Sequence, residues 1–231
     1  MDGRVLNFHL AGINNQNFIM RDEETGSWWQ QVSGECVLGP LKGRRLKLFD
    51  HDELTYATWK REGEGGRVLR PAAKVLAAGG YAPADWERRM QRVPVATTLA
   101  EAEMALPART LVVGVEAGGA AKAYPVDALA AQSPVLDQIG SAPVLVLLGE
   151  DGKSVRVFDR RLEGRTLEFF LKPDSHELLD KETGSLWDFT GTAASGPLAG
   201  RRLARLQPVK DYWFDWKMYH PATGVYLLGQ R

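Results

Sequence analysis

Two carboxylate pairs with the same two-residue spacing, Asp22/Glu24 and Asp180/Glu182, are the groups in this chain best placed to do chemistry. Side chains two apart on a strand project from one face. Each pair could therefore chelate a hard cation such as Ca²⁺, or supply the acid and base of a hydrolase. Both pairs open the same motif, Asp-x-Glu-Thr-Gly-Ser-x-Trp, so Ser27, Trp29, Ser185 and Trp187 join them as ligand-binding candidates. A plainer reading competes. Each Asp would accept N–H bonds from the Thr-Gly-Ser turn just after it, while each Glu is solvated. The capped turn is the favoured expectation, since nothing follows the EF-hand pattern D-x-[DN]-x-[DN]-G. No catalytic residue, metal ligand or cofactor is assigned.

The remaining reactive residue types point less sharply. Trp59 and Trp216 read as core anchors, and of the adjacent Trp28 and Trp29 one should face solvent, because neighbouring strand residues point opposite ways. Arg44-Arg45 and Arg201-Arg202 could grip a phosphate or carboxylate, but pairing with nearby acids or a solvated strand edge is expected. The histidines, His9, His51, His176 and His220, show no metal-binding spacing, and the single Cys36 sits in an apolar run where a free thiol is usually buried. A lone cysteine excludes internal disulfides and Cys-x-x-Cys chemistry. No nucleophile elbow, P-loop or dinucleotide fingerprint is present.

These residues are held by a chain that repeats itself. Asp22–Trp29 recurs 158 positions later as Asp180–Trp187, and Gly-Pro-Leu-x-Gly-Arg-Arg-Leu at residues 39–46 recurs 157 later at 196–203. Trp59-Lys60 recurs as Trp216-Lys217, also at 157, and Gly3-Arg-Val-Leu-Asn-Phe8 matches residues 164–169. The second copy is preceded by strand-like runs at 111–116 (LVVGVE), 122–125 (KAYP), 144–148 (VLVLL) and 154–158 (SVRVF), whereas the first begins at Asp2. The first copy is therefore expected to be incomplete, the chain being a fragment cut inside the first unit, the alternative being a natural start with a degenerate first half. Alternating residues at 5–10 and 166–171, with 44–49 and 201–206, predict strands. Residues 53–61 and 211–219 predict short helices.

Between the copies, residues 72–78, 83–92 and 99–105 are rich in Ala, Glu and Arg and predict helices. The expected fold is a β-rich α+β protein of two homologous, mainly antiparallel lobes, 1–70 and 109–231, joined by a helical connector over 71–108. A composition of 44% hydrophobic and 25% charged residues suits a folded chain, and a net charge of zero argues against a general nucleic-acid binder. The longest apolar run, residues 142–148, is far short of the roughly 20 residues of a membrane span.

Taken together, Val113-Gly-Val-Glu116, Lys122-Ala-Tyr-Pro125, Val157-Phe-Asp-Arg-Arg161, residues 179–187, residues 195–203, Trp216-Lys217 and His220-Pro221 resemble DUF3179, a bacterial and archaeal family of unknown function. The resemblance covers nearly all of the second lobe and the later half of the first. It implies no mechanism. Family members usually carry Cys-Pro-x-Cys where residues 147–154 here read Leu-Leu-Gly-Glu-Asp-Gly-Lys-Ser, so thiol or thiolate–metal chemistry cannot operate in this lobe. Family members often carry export signals, which leans localisation outward, though residues 1–12 show no such signal. The expected role is a binding or structural module for a small molecule or protein partner, with the lobes paired inside the chain. The alternative is a hydrolase or cation-binding protein using the acidic turns.

Overall fold

A chain that alternates apolar and polar residues settles into strands only where a neighbouring strand completes its hydrogen bonds, and this rule sorts the expected elements. A computed structural model describes residues 3–14, 17–63, 65–79, 85–95, 97–100, 103–173 and 177–229. Strands β1 (Phe8–Asn14), β2 (Asn17–Asp22), β3 (Trp28–Gln30) and β4 (Cys36–Leu38) pair antiparallel in chain order. Period two is visible at the start of β2, where Asn17 and Ile19 are buried and Phe18 is exposed. The strand expected over 44–49 does not form. Arg45 makes one isolated bridge to Glu35, and Leu48 and Phe49, with no strand beside them, stay exposed. Helix α1 (Tyr56–Glu62) follows, started by Thr55, whose Oγ1 accepts the Thr58 N–H at 3.3 Å.

In the connector, α2 (Ala73–Ala77) and α3 (Trp86–Met90) are short, and the described part of 99–105 makes no α-helix. Met104 and Leu106 instead pack against buried tryptophans, a gain larger than so short a helix offers.

The rest of the chain is layered. In order come β5 (Leu111–Ala117), β6 (Ala120–Pro125), α4 (Val126–Ala131), β7 (Val135–Ile139), β8 (Ala142–Leu148) and β9 (Val155–Asp159). The small hairpin β10 (Arg161–Leu162) and β11 (Arg165–Thr166) leads to β12 (Phe169–Leu171), β13 (Leu178–Asp180), β14 (Leu186–Trp187) and β15 (Ala193–Ser195). The chain closes through β16 (Ala204–Leu206), β17 (Pro208–Tyr212), α5 (Trp213–Tyr219) and β18 (Gly224–Val225). Three sheets result, ordered β17-β5-β6-β18, β16-β9-β8-β7 and β12-β13-β14-β15.

The sheet carrying β8 lies in the middle. One face packs Val144, Val146 and Val157 against Val113, Val115 and Tyr124; the other packs Leu145, Leu147 and Phe158 against Phe169, Leu178 and Trp187. Burial on both faces is why β8 reads as an unbroken apolar run rather than an alternating one. On the far side of β5–β6, Trp213 and Trp216 close a third cluster with Val112 and Ala123. Gly114 makes room there, since a Cβ would run into the Trp216 ring. None of these clusters includes a residue of β1–β4.

Strands occupy 36% of the described residues and helices 14%, nearly all strand pairs being antiparallel, so the fold is β-rich α+β. Among the described residues no helix is long and apolar enough to cross a membrane.

Candidate functional site

The two acidic turns are the same hydrogen-bonded knot built twice. Asp22 is fully buried at the end of β2, and its carboxylate accepts from Thr25 N at 2.6 Å, Thr25 Oγ1 at 2.8 Å and Trp29 Nε1 at 2.7 Å. Asp180 does the same with Thr183 N at 2.6 Å, Thr183 Oγ1 at 2.8 Å and Trp187 Nε1 at 2.8 Å. Burial pushes the Asp22 carboxyl up, but the bonds from Trp29 and Thr25 outweigh it and hold the group below the ordinary carboxylate range. Ser27 and Ser185 are also fully buried. Their hydroxyls meet Thr25 and Thr183 and accept the backbone N–H of Leu41 and Leu198 at 3.2 and 3.0 Å.

That last contact explains the second repeated motif. Gly39 and Gly196 lie at φ +101° and +91°, and an added Cβ would stand 2.8 and 2.7 Å from the Ser27 and Ser185 Cα atoms. Only glycine lets the Gly-Pro-Leu turn close over the serine.

Asp and Glu do not share a face, because the strand ends at the Asp and the Glu already lies in the turn. Glu24 is exposed and accepts from Asn7 N at 2.8 Å, and Glu182 accepts from Glu168 N at 3.0 Å, so each ties the turn to the incoming chain. Trp29 is buried and Trp28 half-buried, Trp216 is a core anchor, and Trp59 is only half-buried, stacked on Tyr56.

The other residues singled out in the sequence stay apart. Arg45 pairs with Glu35 and Arg201 with Glu163, all four largely solvated. Cys36 is buried, His220 lies against Trp216 and Glu116, His51 lies beside Gln207, and His176 falls outside the described residues. Among the described residues no group of three or more His, Cys, Asp or Glu is placed to hold a metal ion.

Concavity lies elsewhere. A groove of about 910 Å³ runs between α1, the end of α4, the loop after β8 and the β12–β15 sheet. Leu129, Pro134, Leu148, Leu178, Trp187 and Phe189 supply apolar walls, and Arg61, Glu150, Asp188 and Thr190 supply polar ones. The segment that forms its α1 side is strapped down by charge. Arg156, on β9 and almost wholly buried, donates to Asp52 at 2.8 Å and Glu62 at 2.7 Å and lies 4.8 Å from the Phe189 ring centre. Next to it Asp151 accepts from Thr55 Oγ1 at 2.6 Å and Thr58 Oγ1 at 2.8 Å. Burial raises its carboxyl, yet the bonds from Ser154 and Thr55 hold it well below the usual range.

Sequence reasoning missed one cluster altogether. Asp211 on β17 and Asp215 on α5 face each other, with Asn17 of β2 donating to Asp215 and Gln30 of β3 donating to the Tyr219 hydroxyl at 3.3 Å. Burial first, and then the Asp215 charge, pushes Asp211 up to about 7; burial raises Asp215 as well. Raising both carboxyls disfavours a second charge in the joint. The spacing Asp211-x-x-x-Asp215 was the available signal, hidden because it spans a strand end and a helix start.

Comparison with curated proteins and with solved structures returned no match. The sequence profile of a family described as a protein of unknown function, DUF3179, matches residues 1–223, which takes in both acidic turns, the strap, the groove and α5. By that match the chain belongs to the DUF3179 family.

Proposed function

We propose that the chain is a binding module whose ligand lies in the groove between α1 and the β12–β15 sheet. The observation that carries this reading is the groove itself. Its volume of about 910 Å³ falls in the range of small-molecule sites, and its apolar walls with a few polar groups are the composition such sites have. The acidic turns then act at one remove. Asp180 fixes the Trp187 indole, and Trp187 is part of the groove wall.

The same reading treats residues 1–70 and 109–231 as lobes derived from one unit, the first incomplete, with 71–108 joining them. Support comes from the common order of β1–β4 and β12–β15 and from the two matching Asp–Thr–Ser–Trp networks. Pairing of the lobes inside the chain is supported by the bonds from Asn17 and Gln30 to α5 and by the Arg156 strap.

A fragment screen read by methyl NMR tests the site. Compounds that bind should shift Leu129, Leu148 and Leu178, and Ala131→Trp, which fills the groove from α4, should abolish those shifts. Binding compounds whose shifts map to another surface would remove the groove from consideration.

A further inference from the structure

The two facing walls of the groove are fixed in different ways. Leu178 and Trp187, on the sheet wall, belong to the apolar cluster that they share with Leu145, Leu147 and Phe158 of the central sheet. On the other wall, Thr58 is the buried residue of α1, and none of residues 51–62 enters any of the three apolar clusters. Polar bonds hold this wall instead. Arg156 of β9 takes Asp52 and Glu62, Arg205 of β16 takes Asp52, and Lys210 of β17 takes Glu53 at 2.8 Å. Asp151 accepts from the hydroxyls of Thr55 and Thr58, and Ser154 Oγ accepts the Thr55 N–H at 3.1 Å.

We propose that residues 51–62 are a lid on the groove, latched by charge, which swings out to admit a ligand and closes again over it. The proposal rests on the groove being the ligand site and gives that site its gate. Segments with few buried apolar contacts open before a core does, and here water can take the place of each bond the lid gives up. The partners sit on strands whose own pairing is untouched when the lid lifts. Both ends of the segment suit a hinge. Leu48 and Phe49 before it are exposed and pair with no strand. Gly63 and Gly65 follow it, and a Cβ at Gly65 would meet nothing within 4 Å, so no packing pins the chain there.

Thiol labelling reads the gate. Leu148 lines the groove and is half-buried. Cys36→Ser removes the one native thiol, so Leu148→Cys in that background places a single thiol inside. A small reagent, methyl methanethiolsulfonate, should reach it with the lid shut, whereas fluorescein maleimide should wait for the lid. Measured against the exposed Leu76→Cys, the large reagent should be slowed about 100-fold more than the small one, and Arg156→Gln should recover about tenfold of that. In the wild type, α1 amides should exchange through an opening that urea barely changes, since lifting a lid exposes little surface, while β8 and β9 follow global unfolding. The proposal falls if both reagents are slowed alike, if Arg156→Gln leaves the large reagent's rate unchanged, or if α1 exchanges with the urea dependence of β8 and β9. Its failure is distinct from that of the ligand reading, because fragments can bind a groove that has no gate, and the lid can open over a groove that binds none of them.

Discussion

Asp180, itself fully buried, holds the indole of Trp187 and both polar groups of the half-buried Thr183. Asp180→Ala strands those donors and should cost about 1–3 kcal/mol in chemical denaturation. Asp180→Asn should cost less, because an amide oxygen still accepts. Since the capping bonds do the holding, added Ca²⁺ or chelator should leave the melting temperature unchanged. A chelator effect in the wild type that disappears in Asp180→Asn would restore the cation reading. Asp211 sets a pH dependence. Its folded-state carboxyl is raised to about 7 from an ordinary 3.8. Stability from its bound proton is therefore fully present below about pH 4 and lost as pH rises toward about 7. Asp211→Asn should be about 1–3 kcal/mol more stable than wild type at about pH 8, with little difference at about pH 4. Stability curves that stay parallel across that window would refute the raised Asp211 carboxyl.

At the scale of elements, α1 owes its place to partners nearly a hundred residues away. Seven residues make a poor helix alone, and Thr58, Glu62 and the preceding Asp52 are anchored instead by Asp151 and Arg156. Arg156→Ala would leave Glu62 without its cation and Asp52 with Arg205 as its remaining partner, a loss of about 2–4 kcal/mol. Hydrogen exchange should then quicken in α1 before it changes in β8. Exchange unaltered in α1 would mean that the strap is held by something other than Arg156. The expected strands at 44–49 and 201–206 make the same point in reverse. Residues 204–206 find β9 and become β16, whereas 47–49 find no strand to pair with.

For the whole molecule, stability is unevenly spread. The central sheet is packed on both faces, and the β1–β4 sheet contributes to none of the core clusters. Trp216→Ala, which opens a hole over Gly114, should cost about 3–5 kcal/mol. Native-state exchange should find β2 and β3 opening well below the free energy that opens β8 and β9. Equal protection in both sheets would contradict the layered account.

Local chemistry was readable because it is closed over short distances. The Asp-to-Trp knot spans eight residues, and the glycine that closes over its serine sits twelve residues or fewer further on, so both repeated motifs carry their own structural reason. Period two marked most strands, and the unbroken run at 142–148 marked the one buried on both sides. Contacts between distant segments left no such trace. Arg156 with Asp52 and Glu62, Asn17 with Asp215, and the walls of the groove each join residues roughly a hundred or more positions apart, and nothing in a sequence period reports which side chains will meet. The sequence by itself determined the knots and the strands they end. Only the tertiary structure decided which faces are covered, because burial depends on the neighbour and not on the residue alone.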